Sequence, residues 1–110
     1  MQIESIEGVN NIDEILNFQE VDGVMIGPYD LSGSLNVPGD TDNILVKEAS
    51  QKVINSCKIK NKTCGIQIRD VSTENIIKNL ELGFNLIFLS SDLFALSNWA
   101  KQIKNNLLDV

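Results

Sequence analysis

Histidine is absent from this 110-residue sequence. The side chain most often used to move protons near neutral pH is therefore missing. A general base must be a carboxylate, a lysine, a tyrosine or a metal-bound water, or must come from outside the chain. Basic residues are scarce as well, nine against fifteen acids, for a net charge of −6. That balance argues against nucleic acid as a partner, because phosphate binding needs a clustered basic surface. A small anionic substrate is compatible with it only where local positive charge, such as a metal ion, overrides the global field.

Cysteine is nearly absent. Cys57 and Cys64 stand seven residues apart without a CxxC pair, which favours two buried thiols in a reducing compartment over a disulfide. No apolar stretch approaches the ~20 residues that span a bilayer. The opening MQIESIEG has no basic region ahead of an apolar core, so no signal peptide is expected and the chain reads as soluble and cytoplasmic. No glycine-rich phosphate loop of the GxGxxG or GxxxxGK[ST] kind occurs, which argues against a small doubly wound phosphate-binding domain. Low-complexity segments and Gly/Ser linkers are missing too, so residues 1–110 are expected to form a single domain.

What is present is an alternation of periods. Short apolar runs at Gln2 to Glu4, Gly23 to Gly27, Gly65 to Ile68 and Leu86 to Ser90 read as strands. The second and fourth are almost continuously apolar, as in parallel strands covered on both faces. Between them lie helical stripes: Val9, Ile12, Ile15 and Leu16; then Leu45, Ala49, Val53, Ile54 and Cys57; then Ile76, Ile77 and Leu80; then Leu93, Leu96, Ala100, Ile103 and Leu107. Ser72 or Thr73 and Ser91 or Asp92 are expected to cap the last two helices, and Gly83 to end the third. The order β-α-β-α-β-α-β-α means a parallel sheet wrapped by helices. Four such units are half of an eight-unit barrel, which usually runs to about 250 residues. One connection, Pro28 to about Asp42, is expected to be a long loop, a length often associated with function.

Parallel α/β folds bind ligands at the carboxyl ends of their strands. An acid lies at each of the four: Glu4, Asp30, Asp70 and Asp92. Asp92 has an ordinary explanation as a helix cap, and Asp70 as a turn or a salt bridge with Arg69. Asp30 can be a turn-former in a proline-containing loop. Glu4 follows Ile3 where no helix has begun. Glu4 and Asp30 on neighbouring strand ends can share a divalent cation, magnesium, manganese or cobalt, with water and substrate in the remaining positions. Gly27 permits close backbone approach and Pro28 fixes the turn. The free amides of Tyr29 and Asp30 can then receive a carboxylate.

QIES at Gln2 to Ser5, VDGVMIGPYDLSGSL at Val21 to Leu35 and VPG at Val37 to Gly39 resemble the HpcH/HpaI-type class II pyruvate aldolases. CGIQI and LGFNLIFLSSD resemble that family's last two strands more loosely. The resemblance implies α/β architecture as four consecutive β/α units, the C-terminal half of a TIM (β/α)8 barrel. It implies divalent-metal-dependent cleavage of 2-keto-3-deoxy acids to pyruvate and an aldehyde. It implies that Glu4 and Asp30 bind the metal, that Gln2 stands beside the metal glutamate, and that Gly27, Pro28, Tyr29 and Asp30 surround the pyruvate carboxylate. The family's arginine and its histidine–aspartate pair belong to the other half, so the chain alone is expected to be inactive. Asn36 stands where many relatives have glycine, a substitution the left-handed region tolerates. A half-barrel leaves two strand edges open, which implies a homo-oligomer or the remaining half-barrel as partner. The competing expectation is a non-catalytic binding or assembly module.

Overall fold

The computed structural model describes residues 1–109. Its elements are β1 (Gln2–Ile3), α1 (Ile6–Asn10), α2 (Ile12–Ile15), β2 (Gly23–Ile26), α3 (Pro28–Ser34), α4 (Ile44–Lys60), β3 (Thr63–Ile68), α5 (Thr73–Leu82), β4 (Leu86–Leu89) and α6 (Asp92–Leu108). The four strands form one sheet in the order β1-β2-β3-β4, and every pair is parallel. Four β/α units in sequence, with neighbours in the chain adjacent in the sheet, are the arrangement expected of part of a barrel.

The register sorts the residues by face. Gln2, Met25, Gly65 and Leu86 form one row across the sheet, and Ile3, Ile26, Ile66 and Ile87 form the next. Side chains alternate along a strand, so the isoleucine row faces the helices, where Ile3 and Ile26 are almost fully buried. Against that row pack Val9 and Ile12, Leu31, and Val46, Val53, Ile54 and Cys57. Two glycines allow the sheet to close up. A Cβ on Gly23 would lie 2.6 Å from the Thr63 carbonyl oxygen, and one on Gly65 3.3 Å from the Leu86 side chain.

Helix α4 starts at Asn43, whose side-chain oxygen accepts from the Leu45 amide at 3.1 Å. It ends at Asn61, which takes the left-handed conformation (φ 52°) and donates its amide back to the last turn. Helix α5 is capped by Ser72 and ends at Gly83 (φ 108°), as its sequence implies. Serine rather than aspartate caps α6: Ser91 Oγ accepts from Phe94.

Three expectations need correction. The apolar stripe from Val9 to Leu16 is not one helix: it breaks at Asn11 (φ −96°, ψ 10°) into α1 and α2. The stretch from Pro28 to Asp42 is not a loop throughout, because Pro28 to Ser34 is helical. Proline fits the first helical position, which has no need of its amide, and Leu31 carries the burial that holds the turn. Strand β3 also begins two residues earlier than expected, at Thr63.

The fourth unit differs from the others. Helix α6 has no buried residue, and Leu93, Leu96, Trp99 and Leu107 are each more than 60% exposed. In β4, Leu86, Phe88 and Leu89 are exposed too. The radius of gyration is 16.0 Å, against about 13 Å for a compact chain of this length.

Candidate metal and keto-acid site

Strand β1 runs straight into Glu4, and β2 runs through Gly27 into α3. The Gly27 amide donates to the Ile3 carbonyl at 2.9 Å, which extends the β1–β2 ladder one step and brings Glu4 level with Gly27. At that point a glycine is favoured by crowding rather than by backbone angle, since its φ is −103°. A Cβ on Gly27 would stand 2.7 Å from Gln2 Nε2, 3.1 Å from Glu4 Cβ and 3.4 Å from Glu4 Oε2. Gln2 and Glu4 therefore converge on the backbone of Gly27, on the sheet face opposite the helix-packed core. Both side chains are exposed.

Asp30 is the third residue of α3, in its first turn, and is also exposed. Pro28 has no amide to offer, while the amides of Tyr29 and Asp30 lie in the first turn, where a helix provides no internal acceptor. The turn itself is held from behind by Ser32. Its fully buried hydroxyl donates to the Tyr29 carbonyl at 2.6 Å and accepts from the Gly39 amide at 2.9 Å. Gly39 (φ 81°) and Asn36 (φ 61°) supply the two left-handed residues that fold the following loop back onto α3. Ser34 Oγ accepts from the Ile6 amide at 2.9 Å and ties α3 to the start of α1. The roles of Ser32 and Ser34 escaped the sequence reading. A serine three residues after Tyr29, inside a proline-initiated turn, is the signal that marks the first.

The acids at the strand ends separate by what they hold. Asp70 braces a local turn: its carboxylate accepts from the Ser72 amide and hydroxyl, each at 2.9 Å. It does not pair with Arg69, whose guanidinium lies 4.4 Å from the centroid of the Phe94 ring. Asp92 is turned onto the next amide, accepting from Leu93 at 2.7 Å. Glu4 and Asp30 hold nothing: among the described residues neither carboxylate accepts a hydrogen bond, and the one ion pair is Lys47–Asp42 at 3.4 Å. Two carboxylates with hard oxygen donors suit a divalent cation that keeps water and substrate ligands. No cluster of three or more histidine, cysteine or acidic side chains that would hold a metal by itself occurs among the described residues.

A family model described as HpcH/HpaI aldolase/citrate lyase matches residues 1–98. The chain belongs to that family. Among curated relatives, 5-keto-4-deoxy-D-glucarate aldolase of Citrobacter koseri is 34% identical over 93 residues, covering 84% of this chain and 35% of that protein. The Salmonella paratyphi C enzyme of the same name is 35% identical over 95 residues, covering 86% and 36%. The chain thus spans about a third of the length of the curated relatives it matches. Among solved structures, an HpcH/HpaI aldolase from Desulfitobacterium hafniense superposes with a TM-score of 0.88 at 28% identity, over 99% of this chain and 42% of that one. An HpcH/HpaI aldolase/citrate lyase family protein from Burkholderia cenocepacia gives 0.87 at 30%, over 96% and 40%. The four β/α units of this HpcH/HpaI chain are therefore part of a barrel-type fold. No helix among the described residues is long and apolar enough to cross a membrane.

Proposed function

We propose that this chain carries the metal- and carboxylate-binding half of an aldolase that reversibly cleaves 4-hydroxy-2-oxo (2-keto-3-deoxy) acids to pyruvate and an aldehyde. One observation carries the reading. Of the four acids at the strand ends, only Glu4 and Asp30 accept no hydrogen bond, and Gln2 and Glu4 converge on Gly27, whose backbone leads into the turn that carries Asp30. The relatives named for 5-keto-4-deoxy-D-glucarate support a sugar-acid substrate of this class.

Glu4 and Asp30 would hold a divalent cation: magnesium, manganese or cobalt. When bound, that ion supplies Lewis acidity at the keto oxygen of the substrate. The remaining work falls to the chain. The amides of Tyr29 and Asp30 receive the keto-acid carboxylate, with Ser32 holding their turn in place. Gly27 and Pro28 keep the backbone close to the ligand, and Gln2 lies against the same glycine, where its amide can orient Glu4 or a bound water. The chain has no histidine for proton transfer, and the arginine and histidine–aspartate pair that the resemblance implies belong to the other half of the barrel, so the chain alone is expected to bind metal weakly or not at all and to be inactive.

Calorimetric titration with magnesium and manganese tests the reading, with Glu4→Gln and Asp30→Asn as controls. A binding signal lost in both variants supports it. A signal that survives both substitutions, or brisk retro-aldol turnover by the purified chain alone, sinks it.

A second reading, an assembly module without chemistry, draws on the exposed leucines of α6 and the open edges of β1 and β4. On either reading the expected partner is a second copy of the chain or the rest of a barrel.

A further inference from the structure

The proposed function uses the ends of β1 and β2 and leaves those of β3 and β4 unassigned. Strand β3 carries the same face of the sheet onward. Gln67 pairs with Phe88 of β4 and, one step past the Ile26–Ile66 pair, is level with Gly27. Glu4, Gly27, Gln67 and Phe88 thus form the row beyond the isoleucines, on the face that the helices do not cover. Gln67 Nε2 donates to the Ser90 carbonyl at 2.9 Å and ties the ends of β3 and β4 together.

Two residues past Gln67 stands Arg69, the one arginine of the chain. It is also the one basic residue at the carboxyl end of a strand. The lysines lie on α4, α5 and α6 or, for Lys62, in the turn that enters β3. Arg69 has no acidic partner among the described residues, where the one ion pair joins Lys47 and Asp42. The neighbouring acids are committed elsewhere, Asp70 to Ser72 and Asp92 to the Leu93 amide. The guanidinium lies instead over the ring of Phe94, in the first turn of α6, 4.4 Å from its centroid. An aromatic face orients an arginine without consuming its N–H donors, and Arg69 is exposed. A positioned cation with its donors open therefore stands at the same end of the sheet as the unpaired Glu4 and Asp30.

We propose that Arg69 selects substrates that carry a second carboxylate at the end away from the keto acid. This rests on the metal and keto-acid reading given above. Neighbouring strands stand ~4.8 Å apart, so the ends of β1 and β3 are separated by about 10 Å. An extended six-carbon acid held by its keto end at Glu4 and Asp30 brings its far end within reach of the arginine. The guanidinium then takes the second carboxylate through two parallel N–H···O bonds. A phosphate here would also call on the first-turn amides of α6, but those of Leu93 and Phe94 already donate to Asp92 and Ser91. A planar carboxylate needs only the fork. Arg69 touches no reacting atom in this arrangement, and its effect falls on which acid binds.

The test titrates the full chain, in excess magnesium, with 2-oxoadipate and with 2-oxohexanoate, acids of equal length that carry two carboxylates and one. Amide and arginine side-chain spectra follow the binding. Both acids should shift Gly27 and Tyr29. Only 2-oxoadipate should shift Arg69 Nε–H and Phe94, and it should bind about tenfold more tightly. Arg69→Gln should bring the affinity for 2-oxoadipate down to that for 2-oxohexanoate while the shifts at Gly27 and Tyr29 persist, and Arg69→Lys should restore part of the preference. The side chain is exposed, so neither substitution disturbs the core. Equal affinities for the two acids, or a preference that survives Arg69→Gln, would overturn the assignment of Arg69 and leave the keto-acid site standing. Absence of shifts at Gly27 and Tyr29 with both acids would overturn that site, and selection by Arg69 with it.

Discussion

Glu4 and Gly27 face each other across the first two strands, so closely that a single methyl group on Gly27 would reach to 3.1 Å from Glu4 Cβ. The same methyl would press on the amide of Gln2 at 2.7 Å. A glutamine, a glutamate and a glycine thus share one small volume at the carboxyl end of the sheet, and that volume is the basis of the functional reading.

Gly27→Ala should therefore separate stability from binding. The backbone at Gly27 (φ −103°) accepts alanine without strain, and the closest atom is the end of a flexible side chain that can move aside. The expected cost is at most about 1 kcal/mol, read from urea unfolding, with a loss of metal binding well beyond it. Unchanged metal affinity in a folded Gly27→Ala chain would show that the crowding at Gly27 has no bearing on the site.

Gly23→Ala provides the contrast. Its Cβ would meet the Thr63 Cβ and carbonyl oxygen, each at 2.6 Å, and backbone cannot swing away. Overpacking of this kind costs about 1–3 kcal/mol, so this variant should unfold at clearly lower urea than Gly27→Ala. Equal midpoints would contradict the packing at the β2–β3 pair.

Ser32→Ala removes a buried hydroxyl that both donates and accepts. The Gly39 amide loses its partner, at an expected cost of about 1–3 kcal/mol. Amide exchange should quicken at Gly39 and in the first turn of α3 while the α4 core stays protected. A uniform change across the chain would mean that Ser32 supports the fold generally rather than this turn.

Self-association is expected from the uncovered surfaces. Light scattering across a concentration series should show mass rising above that of one chain, and Leu96→Lys with Trp99→Lys on α6 should reduce it. A monomer at every concentration would leave those exposed side chains without a partner.

Much of this was legible in the sequence. The four strands and the helices α4, α5 and α6 follow from periodicity, and the ends of α5 from Ser72 and Gly83. Helix α3 was hidden because Gly33 and two serines dilute its pattern to one strongly buried apolar side chain, Leu31. The break at Asn11 was hidden because the apolar spacing continues across it. Local sequence places Glu4 and Asp30 at strand ends, but only the fold shows that Asp70 and Asp92 are committed to nearby amides and that Glu4 and Asp30 are not. Nothing local in the α6 stripe shows that it lacks a surface to cover, because burial depends on a neighbouring element rather than on the helix itself.

Paramagnetic broadening by manganese tests the central claim most directly, since it detects even weak binding and reports its position. In amide spectra of the chain, sub-stoichiometric Mn²⁺ should broaden Gln2, Ile3, Glu4, Gly27, Tyr29 and Asp30 first, and Glu4→Gln or Asp30→Asn should remove that pattern. Broadening centred instead on exposed acids such as Asp40 and Asp42, or unaffected by either substitution, would contradict the assignment of Glu4 and Asp30 as the metal ligands.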